Sequence, residues 1–162
     1  TQNSTFEQKL EKFQVAQKNN YSLSLKQRID EAKTLHFDIK KQKNPSILLC
    51  DLNDREFSVT IEALTNKRFY KNELKKDDFI LFDSYDIAPK KVYNPHPEFK
   101  GLKRVPTSYF VGHGNTLDFI FVSKDLENCV KNHKVFDEHL QKNRNGTLKQ
   151  SDHAQVVCEI EI

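Results

Sequence analysis

The sequence predicts an α/β domain, and three observations carry that reading. Apolar residues recur at helical spacing through the first forty or so positions. Several later segments are short and apolar or strictly alternating, as strands are, and the probable strands and helices are interspersed along the chain. At 162 residues the chain fits one domain and can bury a core, although only 36% of it is hydrophobic. Twelve phenylalanines and no tryptophan mean that this core is built from Phe, Leu, Ile and Val.

Phe6, Leu10, Phe13 and Ala16 mark the inner stripe of a first helix, which Asn19-Asn20 should stop. Ser24-Leu25-Lys26-Gln27 reads as a capping box opening a second helix, with Leu25, Ile29, Ala32, His36 and Ile39 on one face to about residue 41. His36 on that stripe is a half-buried packing residue. After Pro45, Ile47-Leu48-Leu49-Cys50 reads as a strand buried on both faces that ends in Asp51-Leu52-Asn53-Asp54. Strands of α/β proteins carry functional side chains at their C-terminal ends, but Asp51 and Asn53 are also residues that turn a chain. A helix is expected around Phe57 to Leu64. Gly114 to Ser123 is a strand of large apolar residues interrupted by Asp118. A buried carboxylate needs a partner, and the candidates are His153 or a nearby backbone amide.

Strands near 107 to 111, 130 to 136 and 154 to 162 would complete the sheet. In the last, Ala154, Val156, Cys158, Ile160 and Ile162 share one face, with Gln155, Glu159 and Glu161 opposite. Asp152 and His153 therefore stand at the mouth of a strand, either as turn residues or as an acid and an imidazole delivered to a site. Lys142 to Gln150 reads as a loop.

The net charge of +3 selects no partner by itself. Its distribution is more informative: Lys90, Lys91, Lys100, Lys103 and Arg104 cluster among Pro89, Pro95 and Pro97. Such a loop either tracks phosphates or is simply solvated, and Tyr93 and His96 within it could stack on bases. Lys67, Arg68, Lys71, Lys75 and Lys76, interleaved with Asp77 and Asp78, decorate a surface. Cys50, Cys129 and Cys158 show no paired spacing and read as free thiols of a reducing compartment, which makes the cytoplasm the expected location. No apolar run reaches the length of a membrane span, and no signal peptide is visible.

Cys50-Asp51-Leu52-Asn53, Thr116-Leu117-Asp118-Phe119-Ile120 and Ser151-Asp152-His153-Ala154-Gln155-Val156 occur in that order. Together they resemble the Gly-Asp-Phe-Asn, Arg-Ile-Asp-Tyr-Ile and Ser-Asp-His-x-Pro-Val motifs of the endonuclease/exonuclease/phosphatase superfamily, whose members include deoxyribonuclease I. Pro106-Thr107-Ser108-Tyr109-Phe110 and Leu81-Phe82-Asp83-Ser84-Tyr85 resemble two further segments of that family. The likeness runs over roughly residues 25 to 162. Cys50 and Gln155 depart from the family's glycine and proline. The family's N-terminal Asn, metal-binding Glu, Tyr and His segments have no counterpart here, and the chain has no methionine.

The resemblance implies that residues 1–162 are the C-terminal half of a four-layer α-β-β-α sandwich. It implies a metal-dependent phosphoesterase, foremost a nuclease or phosphodiesterase acting on nucleic acid. Asp51 would orient or deprotonate the water, and Asn53 would bond a phosphoryl oxygen. His153 would bond the phosphate or act as general acid/base, and Asp118 would fix its tautomer. Asp152 would stand near Mg²⁺ or Mn²⁺, and Lys103 and Arg104 would bind substrate. Asp51-Leu52-Asn53-Asp54-Arg55 also resembles a motif of inositol polyphosphate phosphatases, so a phosphomonoesterase acting on a small molecule or lipid headgroup is the alternative. A non-catalytic half-domain that assembles with a partner is the third reading. A half-sandwich would leave the face carrying Leu48, Phe119, Phe121, Val156 and Ile160 bare, to be covered by the missing half, a companion chain, a second copy or the N-terminal helices folding back.

Overall fold

The computed structural model describes residues 3–19, 23–70, 79–96, 102–110, 113–142 and 151–162. Lys71, Lys75, Lys76, Asp77, Asp78, Pro97, Lys100 and the loop from 143 to 150 lie outside the described residues. Two helices open the chain, α1 (Phe6–Lys18) and α2 (Leu23–Gln42). The capping box expected at Ser24 falls inside α2; the box that forms belongs to α1. There the Gln8 amide donates to Thr5 Oγ1 at 3.2 Å and the Thr5 amide to Gln8 Oε1 at 3.0 Å, closing two otherwise open donors.

The chain continues through β1 (Ile47–Asp51), α3 (Val59–Thr65), a 3₁₀ turn (Lys67–Tyr70), β2 (Phe82–Asp83) and α4 (Ser84–Ile87). It then forms β3 (Ser108–Phe110), β4 (His113–Asn115), β5 (Asp118–Val122), a second 3₁₀ turn (Lys124–Cys129), β6 (Val130–Phe136), α5 (Glu138–Lys142) and β7 (Gln155–Ile160). The fold is mixed α/β, as expected, but among the described residues the strands form three small antiparallel sheets and not one: β1-β5-β2, β3-β4 and β6-β7. Among the described residues the antiparallel β6-β7 pair, whose strands are separated in sequence by α5, does not extend the first sheet by pairing. Its inward Val130, Cys158 and Ile160 instead pack with Val122, Ala88 and Leu126.

Period-two alternation explains both faces of the first sheet. On β5, Phe119 and Phe121 share a face with Cys50 and Leu48 of β1, their register partners. That face is covered by Ala32 and Ile39 of α2 and by Ile61, Ala63 and Leu64 of α3. Of the covers considered for the face of a half-sandwich, the one found is the folding back of helices, α2 joined by α3, since Phe119 and Phe121 are too apolar to leave wet; Ile160, expected on that face, packs instead with Val122 and Val130. The opposite face of β5 meets the β6-β7 pair through Val122. Ile47 and Leu49 stay exposed, so β1 is an edge strand wet on one face and not buried on both. His36 is fully buried, stacked on Tyr70 with ring centroids 4.2 Å apart, which confirms packing as its role and makes it more enclosed than expected. Among the described residues no helix is long and apolar enough to cross a membrane.

One buried histidine sets an acid limit on stability. His133 is inward on β6, 3% exposed, with Nδ1 2.8 Å from Ser84 Oγ. Burial first, and the charge of Arg104 second, push its imidazole from the ordinary 6.5 down to about 4. The unfolded chain therefore takes up a proton that the fold refuses. The associated stability is complete above pH 6.5 and is lost as the pH falls toward 4, roughly 3 kcal/mol in all. Burial raises the Glu56 carboxyl and works in the opposite sense, favouring the fold at lower pH. Urea melts between pH 4 and 7 separate the two: His133→Asn should flatten the acid-side slope by about one proton. An unchanged slope would place the acid lability elsewhere.

Candidate active site

Register brings two acids together at one end of the first sheet. Asp51, the last residue of β1, is the cross-strand partner of Asp118, the first residue of β5. Like charges directly opposite are unfavourable, so this pairing needs a neutralising neighbour. His153 offers Asp118 a hydrogen-bond donor: its Nδ1 lies 2.9 Å from Asp118 Oδ2 and 3.1 Å from Oδ1. Because a carboxylate only accepts, Nδ1 carries the proton and Nε2 is left for another partner. The candidates considered for Asp118 are thereby resolved in favour of the imidazole.

Asp51, Asp118 and His153 offer ligand atoms within 4.8 Å of one another. Asp51 is exposed, and the Asp118 and His153 side chains retain 21% and 28% exposure, so the cluster is open to solvent. Its negative field also acts on the half-buried Cys50 thiol, pushed up to about 12 by desolvation first and then by the charges of Asp118, Asp51 and Asp83. Two carboxylates and an imidazole are donors that could hold a divalent cation.

Asn53 follows Asp51 on a tight turn. Its φ of 46° is a left-handed conformation that asparagine tolerates, and its amide donates to Asp51 Oδ1 at 2.8 Å. The turn chemistry considered for this segment is therefore present, and it occupies one Asp51 oxygen. The Asn53 residue is exposed beside the cluster in sequence. Asp152 is exposed and does not join the three clustered residues.

Arg104 lies in the interior. Expected as a substrate-binding cation, it is 7% exposed and donates from two nitrogens to Asp83 Oδ2 at 3.0 and 2.9 Å. Its Nε also faces Glu56 Oε2 at 3.1 Å, and the guanidinium lies 4.1 Å from the centroid of the Tyr85 ring. Two buried carboxylates claim three of the five N–H donors of this guanidinium and hold it inward. Lys103, one residue earlier, is exposed at the rim of a cavity of about 180 Å³ lined also by Glu56, Asp83, Tyr85 and Arg104.

His96, considered either for base stacking or for no role, faces Asp137 Oδ2 at 2.6 Å, where Tyr109 also donates at 2.7 Å. That contact anchors the Pro-rich loop to the end of β6, and Tyr93 within the loop is 69% exposed. Two residues near the site were not legible in sequence. His139 contacts the His153 carbonyl through Nε2 at 2.9 Å, and nothing in the local pattern around His139 signals it. Thr107 bonds to both the Asp118 and the His153 segments, although the sequence shows it only as the lead-in to a strand. No family model, curated protein or solved structure matches the chain.

Proposed function

We propose that this chain carries the C-terminal part of a metal-dependent phosphoesterase site of the endonuclease/exonuclease/phosphatase kind, with nucleic-acid phosphodiesters as substrate. The observation that carries the reading is the Asp118–His153 pair beside Asp51, three residues far apart in sequence whose ligand atoms meet at one strand end. When bound, Mg²⁺ or Mn²⁺ supplies charge neutralisation at the phosphoryl oxygens and a more acidic water.

The rest of the chemistry falls to the chain. Asp118 holds His153 in the Nδ1–H tautomer, so that Nε2 meets the phosphate or exchanges a proton with the leaving oxygen. Asp51, with one oxygen engaged by the Asn53 amide, uses the other to orient the attacking water or to hold the cation. The Asn53 amide side chain bonds a phosphoryl oxygen, and Lys103 contributes the exposed positive charge that draws the backbone in. The resemblance also implies a metal-binding Glu in a segment this sequence does not contain. Turnover by these 162 residues is accordingly expected to be slow.

Cleavage of end-labelled oligonucleotides with and without Mn²⁺ tests the substrate class. Slow cleavage that depends on Mn²⁺ and falls severalfold in Lys103→Ala is the expected result. Turnover of phosphomonoesters in preference to oligonucleotides would favour the small-molecule alternative.

A further inference from the structure

We infer that Thr107 is a positioning residue that locks Asp118 and His153 into one geometry, an inference that rests on the proposed phosphoesterase reading for its functional meaning. Thr107 is 1% exposed and stands immediately before β3. Its Oγ1 accepts from the Leu117 amide at 2.9 Å and from the Asp118 amide at 3.1 Å, which fixes the first residue of β5. Its own carbonyl accepts from the Ala154 amide at 2.6 Å, and its amide donates to the Asn115 carbonyl at 2.9 Å. One side chain and one peptide unit therefore hold the backbone on both sides of the Asp118–His153 contact.

The next residue extends the clamp, since Ser108 forms an isolated antiparallel bridge with His153. On its other side the His153 carbonyl meets His139 Nε2. The imidazole is thus placed by its backbone before its ring finds Asp118. A threonine suits this position because its hydroxyl offers two lone pairs to two adjacent amides while its methyl fills a buried site. Removing the hydroxyl leaves two enclosed N–H groups to find other partners, which lets the start of β5 shift away from His153.

The effect to be measured is that of an outer residue on the atoms it supports, typically 10- to 100-fold in metal affinity. Thr107→Val removes the acceptor and keeps the shape; Thr107→Ser keeps the acceptor. Two readings are taken on each full chain: the ¹⁵N shifts of the His153 ring without metal, and Mn²⁺ affinity by electron paramagnetic resonance. Thr107→Val should move the His153 Nδ1 signal toward that of an unpaired imidazole and weaken Mn²⁺ at least about 10-fold, whereas Thr107→Ser should stay within about twofold of the parent. An unchanged His153 signal in Thr107→Val overturns the inference, as does an equal loss in folded Thr107→Ser. Should Thr107→Val not fold, Thr107→Ala carries the same comparison, and a tenfold loss in Thr107→Ser still refutes the role of the hydroxyl. Failure of the unmodified chain to bind Mn²⁺ would overturn the phosphoesterase reading, while the metal-free His153 signal would still decide the role of Thr107.

Discussion

Replacing Arg104 by alanine is expected to cost roughly 3 to 5 kcal/mol of stability, the loss typical when one partner of a buried ion pair is removed. Asp83 is 5% exposed and Glu56 is 8% exposed, so without the guanidinium two carboxylates remain in the interior. Burial is already the largest influence on Glu56, raising its carboxyl even with Arg104 present. The loss extends beyond charge, since the guanidinium lies over Tyr85 and also faces Phe119 at 5.7 Å from the ring centroid. Chemical denaturation of Arg104→Ala gives the cost directly. The combined change Arg104→Met, Asp83→Asn and Glu56→Gln should recover much of it, because the stranded charges are gone. A loss below about 1 kcal/mol in Arg104→Ala would mean that the network is wet and behaves like surface pairs.

The second large effect is catalytic. His153→Ala should lower metal-dependent phosphodiester cleavage by about 10²- to 10⁴-fold, the range for losing a positioned general acid or base. Asp118→Asn should fall in the same direction, because an amide can donate to Nδ1 and so favour the other tautomer. Both variants should keep a near-parental melting curve, since these side chains are partly exposed at the sheet end. Cleavage in His153→Ala within threefold of the parent would remove His153 from the reaction. Loss of activity together with loss of folding would assign the pair a structural role.

The site was more legible in sequence than the fold around it. Asp51, Asp118 and His153 could be singled out because each sits where an apolar pattern meets a polar residue at a strand end, and such interruptions are costly without a purpose. Helix spacing found α1 and α2, and the strict alternation after His153 gave the inward face of β7 in the correct phase. What failed depends on partners distant in sequence. The run Ile47 to Cys50 is equally compatible with a central or an edge strand, and only the position of the β6-β7 pair decides that Ile47 and Leu49 stay wet. Arg104 looked like a loop cation because its neighbours are lysines. Its burial is set by Asp83 and Glu56, 21 and 48 residues earlier in the chain. The bare apolar face followed from the resemblance alone, and α2 and α3 cover it.

The central claim is that Asp51, Asp118 and His153 form one cation-assisted phosphoryl site, and Mn²⁺-induced line broadening in amide NMR spectra tests it most directly. Adding Mn²⁺ at substoichiometric amounts should first erase the signals of Asp51, Asn53, Asp118 and His153, and Asp51→Asn should abolish that pattern. A nucleoside monophosphate added with the metal should have its phosphorus signal broadened in the same titration. Broadening centred elsewhere, or none that saturates by millimolar Mn²⁺, would contradict the account.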